Sequence, residues 1–497
     1  MIKAYRVQII WLAVLVFLLY GFSLNNAFVA DDVYGIVNNP EIFKFSWVIQ
    51  SPTVVLNKLV YWLIANSFGI IPWPFRLVNI GVHLLTTIGV LVLVSKLINK
   101  TVGMVAAILV AVHPLMIESV TWISGNGYSW YTALLVWSLI GYIKAKDSWW
   151  KYGGSVLLFF CALQFSEKAA ILPCILLVYR LVIDKKRGRW WDLIPYAALS
   201  GLWLVLNLIN IGARLNYLQT EYNSNVETKS VIKFSPLVQT PVALTSYLGL
   251  VAWPDKLTLY HSEMSFTKTK FGIMAGITII YFLATAWLLW RRSLIGFFLS
   301  WLVIGLSPTL VPFGVAWIVA ERYVYFGAIG ILILIAWGLV KFSQKPKQEE
   351  VGWAVITILV LALSIRTLVR NHDWTDQDHL WLAAERTSPT SPQNQNNLGD
   401  LYGRRGDLQQ AEWHFKRAIE LNPNYADAMH NLANVYVREG RYEEAIKWYE
   451  EALKNKPSLW SLWQSKAQLK ALREFFCKQP AYEKNSICQV GEQNSGN

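Results

Sequence analysis

The sequence predicts an all-α chain, a polytopic bundle of membrane-crossing helices followed by a short helical solenoid. Of its 497 residues 54% are apolar and 15% charged, against roughly 45–50% and 25% for an ordinary soluble domain. The apolar residues gather into runs close to the 17–25 residues that carry a helix across a hydrocarbon core. Near the C-terminal end the hydropathy falls and a repeat with a spacing of 34 appears. These observations exclude a soluble or disordered chain.

Eleven runs qualify, at 7–24, 76–98, 102–120, 128–143, 152–165, 169–183, 193–211, 271–290, 294–311, 323–340 and 353–369. No small-residue cleavage site follows the first, so it reads as a retained helix rather than a signal peptide. Alternate connections carry Lys3/Arg6, Lys96/Lys100, Lys144/Lys146/Lys151, Lys185/Lys186/Arg187/Arg189, Arg291/Arg292 and Lys341/Lys345/Lys347. Lys and Arg resist translocation, so these loops and the N-terminus are expected on the cytoplasmic side. The loops 25–75, 121–127, 166–168, 212–270 and 312–322 then lie outside, and an odd number of spans puts the C-terminal region there too. Two further apolar stretches read as interfacial helices. The first, 52–72, is interrupted by Asn57 and Lys58, and the second, 237–253, is short and flanked by proline.

The formal net charge of +13 is uneven: 1–370 holds 30 basic and 15 acidic residues, and 371–497 holds 15 and 17. A basic excess confined to the apolar half reflects membrane orientation and argues against nucleic acid as a partner. The 25 tryptophans suit membrane interfaces.

Leu398/Leu432, Tyr402/Tyr436, Ala411/Ala445, Phe415/Tyr449, Ala418/Ala452 and Pro423/Pro457 recur 34 apart, the tetratricopeptide period. Small residues let two helices approach, aromatic residues fill between them and proline ends the second. Trp381, Ala384 and Pro389 fit the back half of an earlier unit. The expected organisation is a membrane domain over 1–370, a linker with a partial repeat helix over 371–391, repeats with a capping helix over 392–475, and a tail over 476–497. Such an array binds a protein partner on its concave face or serves as a rigid spacer. Cys477 and Cys488 fall outside the membrane, where a disulfide is permitted. Cys161 and Cys174 sit in apolar helices and read as packing residues.

Carboxylates are costly near hydrocarbon and usually have a reason to be there. Asp31 and Asp32 follow the first span, Glu118 ends the third, Glu167 beside Lys168 joins the fifth and sixth, and Glu321 beside Arg322 precedes the tenth. All map to the outer side and to short or helix-proximal loops, so they are expected to converge. An Asp pair can supply a general base, and Arg and Lys at the same depth can hold a phosphate. Together they describe a reaction in which a phosphate leaves while a hydroxyl is deprotonated, as with a polyprenyl-phosphate sugar whose tail lies in the bilayer. The same groups also read as solvated helix ends, a structural acceptor and interface anchors. His83 and His113 read as packed or hydrogen-bonded side chains, no cysteine or histidine cluster has metal spacing, and 124–127 reads as a turn that caps or lines the pocket.

Phe-Val-Ala-Asp-Asp-Val-Tyr-Gly-Ile-Val-Asn-Asn at 28–39, Arg-Leu-Val-Asn-Ile-Gly-Val-His at 76–83, His-Pro-Leu-Met-Ile-Glu-Ser-Val at 113–120, Ser-Glu-Lys at 166–168 and Glu-Arg-Tyr-Val-Tyr at 321–325 occur in this order. Arg-Asn-His-Asp-Trp at 370–374 and Asn-Asn-Leu-Gly at 396–399 follow. This set resembles the transmembrane and tetratricopeptide-repeat-containing O-mannosyltransferases, in a short-repeat form of bacterial type. The resemblance implies a membrane bundle of GT-C type and an inverting glycosyltransferase. It would move a sugar, a mannose-like hexose, from a polyprenyl-phosphate donor to an acceptor hydroxyl on the exoplasmic side. It makes Asp31 or Asp32 the base, with Glu118 supporting acceptor or sugar. Lys168 and Arg322 would bind the donor phosphate, and Glu167, Glu321 and His113 would support them. It implies no resident metal or cofactor and leaves divalent-ion dependence open. The acceptor is a protein Ser/Thr or an envelope glycan or lipid, and in a bacterium the membrane would be the plasma membrane. The reading from a different class is a membrane-anchored repeat scaffold or transporter without catalysis.

Overall fold

The computed structural model describes residues 5–145, 148–184, 190–209, 235–259, 261, 266–310, 318–455 and 459–478. All regular elements among them are helical. The membrane half contains α1 (Arg6–Tyr20), α2 (Val55–Phe68), α3 (Pro72–Leu97), α4 (Lys100–Val112), α5 (Asn126–Lys144), α6 (Trp149–Leu163) and α7 (Leu172–Val182). It continues through α8 (Ile194–Ile209), α9 (Pro236–Ala252), α10 (Lys268–Trp290), α11 (Leu294–Leu306), α12 (Tyr325–Ser343) and α13 (Glu349–His372). The repeat half contains α14 (Gln377–Thr387), α15 (Pro392–Arg405), α16 (Leu408–Leu421), α17 (Ala426–Arg438), α18 (Tyr442–Lys454) and α19 (Leu459–Cys477).

Each apolar run is helical, and local chemistry sets its ends. Prolines occupy the first turn of α3, where a missing N–H costs nothing. The Asn99 side chain caps α4 by accepting from Val102 N, and Thr267 caps α10 by accepting from Lys270 N. Among the described residues six helices are long and apolar enough to cross a membrane: Arg6–Asn25, Pro72–Leu97, Trp190–Ile209, Lys268–Trp290, Glu321–Ser343 and Glu349–His372. A seventh arises if Lys100–Val112 and Pro114–Val120, bent by 58°, form one span. This is fewer than the eleven runs, because α6, α7 and α11 have only 15, 11 and 13 residues and α5, with 19, is too polar to count by composition. At 1.5 Å per residue the shortest reaches about 16 Å, half of a hydrocarbon core.

The 52–72 stretch forms α2 with Leu63 and Phe68 exposed, as an interfacial helix would. The 237–253 stretch differs from its expected surface position. As α9 it packs on α10 and α12, and Tyr247 is fully buried, its hydroxyl donating to Ala320 O at 3.1 Å and accepting from Ala320 N at 3.0 Å. Its apolar inner face belongs to the bundle.

One hydrophobic core runs through α3, α4, α5, α11 and α12 and continues into Trp374, Leu380, Trp381, Leu398 and Leu401. A separate repeat core begins at Ala411 and includes Phe415, Leu432, Tyr436, Ala445 and Tyr449. The core of the membrane half therefore continues past 370 into α14 and α15, and α15 packs in turn on α16. At Gly399 an added Cβ would lie 2.6 Å from the Phe415 ring, which explains the small residue there. Cys161 is half-buried, but Cys174 is exposed on α7 and so is not a packing residue. Lys3, Lys146, Lys185, Lys186, Arg187 and Arg189, residues 212–234, 260 and 262–265 of the fourth outer loop, Pro457, Cys488 and the Cys477 side chain lie outside the described residues.

Candidate functional site

The first outer loop turns sharply at Ala30, whose φ of 51° is left-handed and uncommon for a residue with a Cβ. The turn sends the two following carboxylates to different environments. Asp32 is fully buried. Its Oδ1 accepts from Ser124 N at 2.8 Å and Ser124 Oγ at 2.6 Å, and its Oδ2 from Val29 N at 3.3 Å. Burial pushes the Asp32 carboxyl up to about 6, against the lowering effect of those hydrogen bonds and of the Arg76 charge. Asp31 is solvent-accessible, yet protein surrounds it closely enough that desolvation raises its pKa, with the Arg322 charge opposing. An accessible, partly desolvated carboxylate is suited to exchange a proton with a bound hydroxyl.

Arg76, fully buried, fixes this loop to the bundle. Its guanidinium donates to Asn26 O, Ala27 O and, at 3.1 Å, Thr121 O. Asn26 Nδ2 in turn donates to Trp374 O at 3.0 Å, and Thr121 Oγ1 to Asn371 Oδ1 at 2.7 Å.

The bend after α4 sets the second part of the site. His113 caps it, accepting from Leu115 N at 3.3 Å through Nδ1 and donating from Nε2 to Val251 O at 3.1 Å. The redirected turn carries Glu118, fully buried, to Arg322. One Glu118 oxygen accepts from Arg322 N at 2.7 Å and the other pairs with the guanidinium. Two aromatic rings flank that guanidinium, Trp122 at 5.4 Å and Tyr323 at 5.0 Å. Gly125 lies against this turn, since a Cβ there would come within 2.4 Å of Glu118 O.

Lys168 Nζ sits 3.3 Å from Glu167 Oε1 and over the rings of Tyr128 at 5.1 Å and Tyr323 at 6.0 Å. Tyr323 therefore bridges the two cations. Desolvation opposes the Lys168 charge, but Tyr128, Glu167, Tyr323 and Tyr131 outweigh it and raise its pKa. Glu321 faces the opposite way to Arg322. Its Oε1 pairs with Arg370 Nη2 at 3.0 Å and lies 3.9 Å from His261 Nε2. Burial and the charges of Arg370 and Arg322 push His261 down to about 3, so the ring is neutral.

The expected residues thus form a connected cluster around Arg322, running from Asp31 through Glu118 to Lys168 and Glu167. Glu321 joins it from behind, and His113 acts on it through the bend. His83 bonds Tyr325 Oη at 2.6 Å, as a packed histidine. Sequence reasoning missed Arg76, Trp122, His261 and Arg370. A buried arginine in an apolar run was a signal available for Arg76. Ser124 was read as part of a turn that caps or lines the pocket, not as the partner of Asp32.

A family model described as Tetratricopeptide repeat matches residues 390–458. The chain is 22% identical over 492 residues to Protein O-mannosyl-transferase TMTC3 of Mus musculus, covering 86% of this chain and 53% of that protein. It is 24% identical over 504 residues to Protein O-mannosyl-transferase TMTC1 of Homo sapiens, covering 84% and 55%. A shorter match of 135 residues to Protein O-mannosyl-transferase Tmtc2 of Drosophila melanogaster is 32% identical and covers 27% of this chain and 14% of that protein. The chain spans about half the length of the long-matching relatives. Among solved structures it is similar to ArnT from Cupriavidus metallidurans bound to undecaprenyl phosphate, with a TM-score of 0.41 and 14% identity over 90% of this chain and 80% of that one.

Proposed function

We propose that this relative of the protein O-mannosyl-transferases is itself a membrane glycosyltransferase, moving a mannose-like hexose from a polyprenyl phosphate to an acceptor hydroxyl. The carrying observation is an accessible, partly desolvated carboxylate, Asp31, that feels the charge of Arg322, itself held by Glu118 between aromatic rings. That arrangement pairs a base with an anion-stabilising cation.

In the proposed reaction Asp31 takes the acceptor's hydroxyl proton as that oxygen attacks the anomeric carbon. The bond from that carbon to the phosphate oxygen breaks on the opposite face, which inverts the configuration, and polyprenyl phosphate leaves as the anion. Arg322 and Lys168 stabilise the leaving phosphate. Asp32 positions Asp31 by anchoring the loop to Ser124. Trp122 and Tyr323 hold the Arg322 plane, and aromatic rings at this depth also suit a sugar face. Lys and Arg in the alternate loops support a cytoplasmic N-terminus and an exoplasmic site, with the repeats on the same side. A Ser/Thr-bearing protein is the proposed acceptor, in keeping with the relatives' names.

The test supplies the purified full chain with polyprenyl-phosphate mannose and a Ser/Thr-rich peptide, with and without a chelator. Mannosylated peptide and stoichiometric polyprenyl phosphate in both arms are the expected result. Activity that a chelator removes and a divalent ion restores would overturn the assignment of the phosphate to Lys168 and Arg322 alone. No transfer to any hydroxyl acceptor would overturn the enzymatic reading.

A further inference from the structure

A cavity of about 470 Å³ lies where α9 and the start of α10 meet the end of α14, within the size range of small-molecule sites. Its long wall is a single helical stripe of α9: Val242, Thr245, Ser246, Gly249, Leu250 and Trp253. These positions follow i, i+3, i+4, i+7, i+8 and i+11, one face over about 16 Å of helix. Thr245 turns its hydroxyl back onto Pro241 O at 2.7 Å, so it presents mainly its methyl group. Met274, one turn after Lys270, adds to the apolar wall.

The other end is polar and charged, with two cations and one carboxylate, Asp255. Lys256 and Lys270 line it and are exposed, and neither has an ion-pair partner among the described residues. Thr258 and Ser388 join there at 3.3 Å, tying the membrane half to the end of α14. His261 forms the back wall, with a buried Nε2 that has no hydrogen-bond partner and that lies 3.9 Å from Glu321 Oε1. The helices beside the cavity present apolar side chains outward, Leu237 and Trp253 on the α9 side and Ile273 and Ile277 on α10, as lipid-facing helices do.

We propose that this cavity binds an anionic, phosphate-headed lipid of the surrounding bilayer, head at Lys256 and Lys270 and tail along the α9 stripe. A charged mouth above a narrow apolar wall complements an amphiphile and matches neither a hydrophilic solute nor a flat protein surface. The site shares no residue with the Lys168 and Arg322 pair, and it stands whether or not the chain transfers sugar.

The test is native mass spectrometry of the detergent-solubilised full chain, titrated separately with phosphatidylglycerol, undecaprenyl phosphate and inorganic phosphate. The parent should hold at least one of the two lipids at this site. Lys256→Ala/Lys270→Ala should weaken that binding at least tenfold, and Lys44→Ala, at an exposed lysine outside the cavity lining, should leave it unchanged. Gly249→Leu should have the same effect as the double change by filling the groove, because a Cβ at Gly249 meets nothing within 4 Å. Whichever lipid depends on the cavity variants identifies the preferred head. Parent-like lipid affinity in both cavity variants would overturn the proposal. So would an equal loss of lipid binding in Lys44→Ala, or inorganic phosphate binding as tightly as the lipids.

Discussion

Burial pushes the Asp32 carboxyl up to about 6 from 3.8, so between those values the folded chain keeps a proton that the unfolded chain has released. Stability must then fall as pH rises through that window, by of order 3 kcal/mol in full. Thermal midpoints of the parent and Asp32→Asn from pH 4 to 7 check this. The parent should lose stability relative to the variant with rising pH, whereas a constant offset would mean that Asp32 titrates normally. Asp31 carries the proposed role of base. Two adjacent aspartates after a span were legible as a candidate base, but which of them turns inward depends on the left-handed Ala30 and on Ser124, 92 residues away. No local pattern encodes that pairing. The same holds for Arg370, legible only as the last turn of an apolar run, which the fold places against Glu321.

The bent element from Lys100 to Val120 is what delivers Glu118 to Arg322. Proline at 114 breaks the helix, a bend that the reading of 102–120 as one run did not include, and its direction comes from His113 reaching Val251 O on α9, a contact between distant segments. Gly125 packs on the far side of this turn, so Gly125→Ala should displace Glu118 and loosen Arg322. A loss of transfer of up to about a hundredfold, carried mainly by a raised KM for the lipid donor, is expected. Unchanged donor kinetics would show that the turn does not position Arg322. In the repeats, Gly399→Ala should cost about 1–3 kcal/mol by pushing on Phe415, read as a lower melting temperature of that half. Here sequence reasoning reached furthest, because the 34-residue period encodes contacts between neighbouring helices. It failed for α9, whose proline flanks and modest length hid a helix packed into the bundle.

Across the whole molecule, the apolar runs were readable as helices and the soluble tail as repeats, but the boundary between them was not. Hydropathy falls near Ser391, whereas the membrane-half core extends through Trp374, Trp381 and Leu401. A chain ending at Gly406 should therefore keep a folded membrane half, and one ending at Arg370 should not accumulate, since Trp374 would no longer cover Arg370 and Trp122. Expression and melting of the two truncations check this, and equal accumulation would place the boundary at 370 after all. Apolar composition does not reveal how short the helices α6, α7 and α11 are. The central claim concerns Asp31, and single-turnover mannose transfer by the full chain, parent against Asp31→Asn, tests it most directly. The account predicts transfer by the parent and a variant at least about a hundredfold slower, with unchanged melting temperature. Parent-like turnover by Asp31→Asn would contradict it.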